Sequence, residues 1–310
     1  MDSNEKAAGG RAGRDRAVGH EYRRAHRDAD PIEIEIEEEG ALTADEVEKV
    51  HERVQLRAPA IFAIVREEGE AELARPSSSL FASGLVAGVA MGFSVLGLSA
   101  IRRFMPDVTW EPLVSSFGYS FGFLIVILGR QQLFTESTIT AVLPLTSHPS
   151  WRTLGNTGRV WGVVLVANWI GCVLVAAGFT LLPVIPDEIA AEILAFSKHL
   201  TDYDAWTAFQ HGIGAGFLIA ALVWMMPIAE TNKLWLIVLV TWLIAVGGFT
   251  HAIAGMVEIV VLVLKDEVSI ADGVLTLALP TLAGNIVGGT VLFAALAYAQ
   301  VRSEVEAGNG

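Results

Sequence analysis

Four ionisable side chains stand in stretches that are otherwise apolar: Arg130, Glu136, His251 and Glu258. At bilayer depth an Arg or Asp costs at least about 2.5–3.5 kcal/mol on insertion scales, so each such residue asks for a role. His251 follows Gly247-Gly248, where a helix can open, and precedes the small residues Ala252-Ile-Ala-Gly255. An imidazole can give or take a proton near neutral pH. The residues leave two roles open for it: a proton-handling group facing a solute, or a structural histidine donating to a carbonyl freed by a helix break. Glu258 lies two helical turns beyond His251, on the same face of a continuous helix. It is read either as a proton relay or as the partner of Arg130. Arg130 and Glu136 flank Leu133-Phe134-Thr135 and either neutralise each other or leave Arg130 to give an anion path positive potential. A buried charge must be paired, so Arg130 is expected against Glu136 or Glu258. His211, beside Gly212 and Gly214, is read as a packing residue.

Six long apolar segments position these groups: Leu80–Ile101, Leu113–Leu145, Trp161–Leu182, Trp206–Ile228, Leu234–Leu264 and Val274–Val301. Each approaches or exceeds the roughly 20 residues of a spanning helix. The chain is 53% hydrophobic and 18% charged, and residues 76–310 hold only 9 Lys/Arg and 15 Asp/Glu. So few charges could not cover a soluble domain of that size, which makes residues 76–302 an integral membrane domain. Segments two and five, of 33 and 31 residues, are too long for one straight crossing and are polar near their middles. Both are expected to be two half-helices joined by irregular backbone, which at this depth must be satisfied by protein or water. That chain reversal should bring Thr135 and His251 together.

An internal echo supports the same layout. Phe134-Thr135-Glu136 resembles Phe249-Thr250-His251, and each is followed at similar distance by Asn-x-x-Gly, at Asn168 and at Asn285. Three spans per half require the halves to be inverted, with broken helices meeting at the midplane, which is a transport architecture. Gly84, Gly88 and Gly92, Gly118/Gly122 and Gly284/Gly288 are small-xxx-small sets that let backbones approach in lipid. Trp110, Trp151, Trp161, Trp206 and Trp235 stand at segment ends as interfacial anchors.

Residues 1–75 form a polar extension with 12 Lys/Arg and 19 Asp/Glu. Within it, residues 1–40 read as a solvated tail, Thr43-Ala-Asp-Glu46 as a capping box opening a helix to about Arg57, and Ile61, Phe62, Ile64 and Val65 as a stripe lying on the membrane or the bundle. Residues 303–310 read as a short tail. No early apolar core suggests a signal peptide. Even span number puts both termini on one side; six Lys/Arg flank that side against four opposite, which favours a cytoplasmic placement in the cell membrane. The net charge of −13 argues against nucleic acid as a partner, and the single Cys172 excludes an intrachain disulfide. No motif implies a cofactor or metal.

Leu133-Phe134-Thr135, Asn168-x-x-Gly171, Val223-Trp224-Met225, Gly248-Phe-Thr-His251-Ala-Ile-Ala-Gly-Met256 and Gly284-Asn-Ile-Val-Gly-Gly289, collinear across residues 76–300, resemble the formate/nitrite transporter family. The resemblance implies an all-α, aquaporin-like fold with one pore per protomer in a homopentamer, in the lipid bilayer. It also implies small monovalent anions as substrates, among them formate, nitrite, acetate, lactate and hydrosulfide, possible proton coupling, and no enzymatic activity. Residue by residue, His251 matches the central pore histidine, Thr135 the loop threonine, and Leu133 and Phe134 the cytoplasmic constriction. Tyr119, Phe123 and Ile244 match apolar pore-lining positions. Three positions depart from the family: Gln132 and Thr250 replace acidic residues, and Gly216 stands at the pore Asn of span four. A degenerate pore acting as a scaffold is therefore a second reading. An intramembrane enzyme is a third, weakened by the lack of a Gly-x-Ser-x-Gly elbow or a His cluster. The lack of Asn-Pro-Ala disfavours an aquaporin.

Overall fold

Two helix stops divide the long apolar segments. The computed structural model describes residues 56–308, and Leu56–Gly310 forms one compact unit. The tail of residues 1–40 and the capping-box helix lie outside the described residues. Pro59 in the first turn opens α1 (Ala58–Ala74), and Pro76 ends it by forcing Arg75 into extended backbone. Next come α2 (Ser77–Phe104), α3 (Glu111–Leu128), α4 (Phe134–Thr140), α5 (Leu143–Ser147), α6 (Trp151–Leu181) and α7 (Asp187–Ser197). The chain continues through α8 (Ala205–Ile228), α9 (Lys233–Val246), α10 (Ala254–Leu264) and α11 (Ile270–Arg302). No strand occurs among the described residues.

Five of these helices are long and apolar enough to cross a membrane alone: α2, α3, α6, α8 and α11. The fifth apolar segment is divided into α9 and α10, of 14 and 11 residues, and the second into α3, α4 and α5. Both interruptions have the same hydrogen-bonded form. Gly129 N–H donates to Ile125, Arg130 to Ile127 and Gln131 to Val126, at 3.0, 3.2 and 2.9 Å. Gly247, Gly248 and Phe249 donate to Leu243, Ala245 and Ile244 in the same order, at 3.0, 3.1 and 3.0 Å. Each is a Schellman stop, whose pivotal residue must be left-handed. Gly248 takes that role at φ 68° and Arg130 at φ 52°.

Two buried asparagines hold the irregular backbone that follows. Asn168 Oδ1 accepts from Phe134 N at 2.9 Å, while its Nδ2 donates to Gly84 O and Gln132 O. Asn285 Oδ1 accepts from Ala252 N at 3.0 Å, while its Nδ2 donates to Gly212 O and Thr250 O. The two halves are therefore related as the echo suggests, but in another register. Phe134 corresponds to Ala252 and Leu133 to His251, so Glu136 is not the counterpart of His251. A three-letter match misplaced the alignment because side chains, unlike the turn and its clamp, differ between the halves.

Glycine lets the helices carrying these asparagines lie close. A Cβ on Gly88 would run into the Asn168 carbonyl, and one on Gly216 into that of Asn285. Gly216 is thus the packing counterpart of Gly88, correcting its expected place on the pore wall. α1 rests on α4, α5, α8 and α11, with Phe62 and Val65 buried, so its apolar stripe faces the bundle. Arg159 pins its end, donating to Leu73 O at 2.7 Å and Arg75 O at 3.0 Å.

Candidate functional site

The second pieces of both broken segments start at the protein interior, and this places His251 beside Thr135. His251 precedes α10, whose first N–H groups have no helical acceptor. Two of them take the ring instead: Ile253 N and Ala254 N donate to His251 Nδ1 at 3.3 and 3.2 Å. With Nδ1 accepting, a neutral ring carries its hydrogen on Nε2, an assignment made from this network. Nε2 lies 2.8 Å from Thr135 Oγ1 and so donates to it. The threonine hydroxyl keeps its own hydrogen to offer to a solute. The expected meeting of Thr135 and His251 is what the structure contains.

Aromatic rings close one side of the pair. Phe123 stands edge-on to the imidazole with centroids 4.9 Å apart, and Tyr119 lies 5.5 Å beyond Phe123. Leu133 and Phe134 are buried on the other side, Phe134 against Trp161 at 5.6 Å. His251 is 1% exposed, enclosed by these side chains. Beyond Leu133 a cavity of about 800 Å³ opens between α1, α3, α4 and α8. A second cavity, of about 10 Å³, touches His251, Thr250, Leu200 and Thr281. Thr250 donates to Ala208 O at 3.1 Å. Ile244 is buried on α9, and its carbonyl accepts from Phe249 in the turn.

The ionisable residues are arranged differently from the sequence expectation. Arg130 pairs with neither Glu136 nor Glu258; its guanidinium lies 3.7 Å from Glu68 on α1 and is 84% exposed. The left-handed turn directs it to the open cavity, where water solvates the charge and removes the need for a buried partner. Glu136 also lines that cavity, but its Oε1 is buried and accepts no hydrogen bond. Glu258 lies 3.8 Å from His199, and His211 lies 2.7 Å from the Gly248 carbonyl and 3.3 Å from the Tyr203 hydroxyl. His211 therefore braces the break, where simple packing was expected.

Glu72 escaped the sequence reading. It is buried where α1 meets α4, accepting from Ser137 and Thr140, each at 2.5 Å. The Gln132 amide, turned to suit its neighbours, donates to the same carboxylate at 2.9 Å. Burial raises the Glu72 carboxyl above the usual range, against the lowering effect of those hydroxyls and of Arg75. Phe62, Val65, Gly69 and Glu72 recur at helical spacing, so a carboxylate on the buried stripe was the available signal.

Inverted halves whose two broken helices meet at the protein interior have the architecture of a membrane channel or transporter. The chain belongs to the formate/nitrite transporter family, whose profile, described as "Formate/nitrite transporter", matches residues 59–299. Inner membrane protein YfdC of Escherichia coli (strain K12) is 40% identical over 273 residues, covering 88% of each chain. Formate channel FocA of Haemophilus influenzae is 25% identical over 239 residues, or 68% of this chain and 82% of that one. Among solved structures, a "Pentameric formate channel with formate bound" shares the fold at TM-score 0.64 and 20% identity, over 73% of this chain and 98% of that one. An "FNT family ion channel" shares it at 0.65 and 20%, over 78% and 98%.

Proposed function

We propose that this protein carries small monovalent anions of weak acids, formate and nitrite among them, together with a proton, through one path in each subunit of a homopentamer. The observation that carries this reading is the His251–Thr135 bond at the meeting of the two breaks. The donor it leaves free is the Thr135 hydroxyl, which can serve a solute, and the N-terminus of α10 adds positive potential. A bare anion crosses an apolar constriction at high cost, whereas the neutral acid does not. His251 polarises the acid through Thr135 and does not protonate it. A second ring proton would have to sit on Nδ1, against the Ile253 and Ala254 N–H groups. The pentameric relative and the exposed apolar faces of α3 and α6, Phe121, Ile125, Val166 and Val173 among them, support the assembly and the bilayer setting. We place the termini in the cytoplasm and the protein in the inner membrane.

The test is uptake of formate, acetate and nitrite into proteoliposomes between about pH 5 and 8, where an unperturbed imidazole titrates. Flux should rise as pH falls, and Thr135→Val should lower it by about tenfold or more, while Thr135→Ser retains it. Uptake no greater than that of empty liposomes at every pH would leave the scaffold reading in its place.

A further inference from the structure

On α10, Glu258 is 4% exposed, and its Oε2 accepts no hydrogen bond. No lysine or arginine among the described residues pairs with it. Its titratable neighbour is His199, whose Nδ1 lies 3.8 Å from Oε2 and donates to Phe196 O at 2.7 Å. The His199 side chain is 39% exposed, so the imidazole reaches both solvent and the buried carboxyl. Tyr119, on α3, heads the stack over His251. Glu258 therefore sits on α10, two helical turns beyond His251, beside a ring in contact with water.

The surrounding charges are committed elsewhere. Arg102 of α2 bonds Glu192 of α7 at 2.8 Å and lies 3.9 Å from Glu111; Lys198 bonds Glu267 at 2.7 Å. Cys172, from α6, faces the carbonyls of Gly88 and Ile253. Asp202, Arg102 and His211 act on His199 from a distance, and burial, the largest effect, holds its imidazole below the usual histidine range.

We propose that Glu258 and His199 form a proton-exchange site, where the weak-acid anion acquires its proton before entering the constriction at Tyr119 and Phe123. The inference rests on the transport reading above and names the source of the proton that His251 is not placed to give. The Glu258 O–H bond breaks as an O–H bond forms on the substrate, leaving a neutral acid and a carboxylate. One proton from water then adds to His199 Nε2, and the Nδ1 proton passes to Glu258 Oε2 as the gap closes. The imidazole is then neutral with its proton on Nε2; loss of that proton to water and uptake of one at Nδ1 restore the starting tautomer, so that each cycle consumes one proton and one anion.

Infrared titration of the full-length protein in lipid nanodiscs, with Glu258→Gln and His199→Gln variants, tests the site without transport. The wild type should show a titrating protonated-carboxyl band that Glu258→Gln removes. His199→Gln should move its midpoint by about one pH unit, as for coupled groups. In proteoliposomes, Glu258→Gln should slow acetate-driven acidification by about tenfold or more and flatten its pH profile, which a purely structural carboxyl would leave unchanged. A wild-type spectrum from which Glu258→Gln removes no titrating protonated-carboxyl component, a midpoint of that component indifferent to His199, or an unaltered pH profile in an active variant overturns the proposal. A coupled band in a protein that moves no weak acid would support the site and refute only the transport reading.

Discussion

Replacing Asn285 by alanine should loosen the second broken helix more than any exposed substitution could. The amide is fully buried and makes three bonds, to Ala252 N, Gly212 O and Thr250 O, at 3.0, 2.9 and 2.9 Å. Gly212 O lies inside α8 and keeps its helical donor, so it loses little. Ala252 N and Thr250 O belong to the irregular stretch and are left without a partner. Each orphaned buried group costs about 1–3 kcal/mol, and bonds inside membrane bundles fall towards the lower end of such ranges, so the expected loss is about 2–4 kcal/mol. At about 1.4 kcal/mol per factor of ten, the Ala252 amide should lose about 30-fold or more of its protection in hydrogen exchange. Exchange measured by mass spectrometry in nanodiscs, together with thermal unfolding followed by gel filtration, reads both effects. Asn285→Asp should be worse than alanine, because it keeps one acceptor but turns a carboxylate onto two carbonyls. An alanine variant with unchanged Ala252 protection and an unchanged unfolding temperature would refute the assignment of Asn285 as the clamp.

Gly88→Ala and Gly216→Ala should each cost about 1–3 kcal/mol, because the new methyl meets backbone carbonyls that cannot move aside; equal unfolding temperatures for wild type and both variants would count against this. Glu72 supplies a pH test: its carboxyl is raised by burial, so the native state holds more protons than the unfolded chain. Its contribution is fully present below the usual carboxylate range and is lost as pH rises through the raised native value. Unfolding temperature should therefore fall with rising pH across that window, and Glu72→Gln should flatten the fall; parallel curves for the two proteins would contradict it.

The sequence alone determined the membrane class, the apolar segments and the two interruptions, because bilayer thickness and the cost of buried charge act on local composition. It also determined the family, whose motifs lie in order along the chain. Phe134 and Thr135 against His251 were legible as two breaks that must meet. Tertiary structure decided how the breaks are held and which charges are buried. Arg130 reads as a buried ion in need of a partner until the turn places it in left-handed backbone and opens it to water. Gly216 reads as a pore residue until its close contact with the Asn285 backbone shows it to be packing. Glu72 and His199 lie in segments that composition assigns to the periphery, and only the docking of α1 and the return of the 198–202 turn bring them against α4 and α10. These outcomes depend on which helix lies against which face, a long-range property that a local pattern of residue types does not encode.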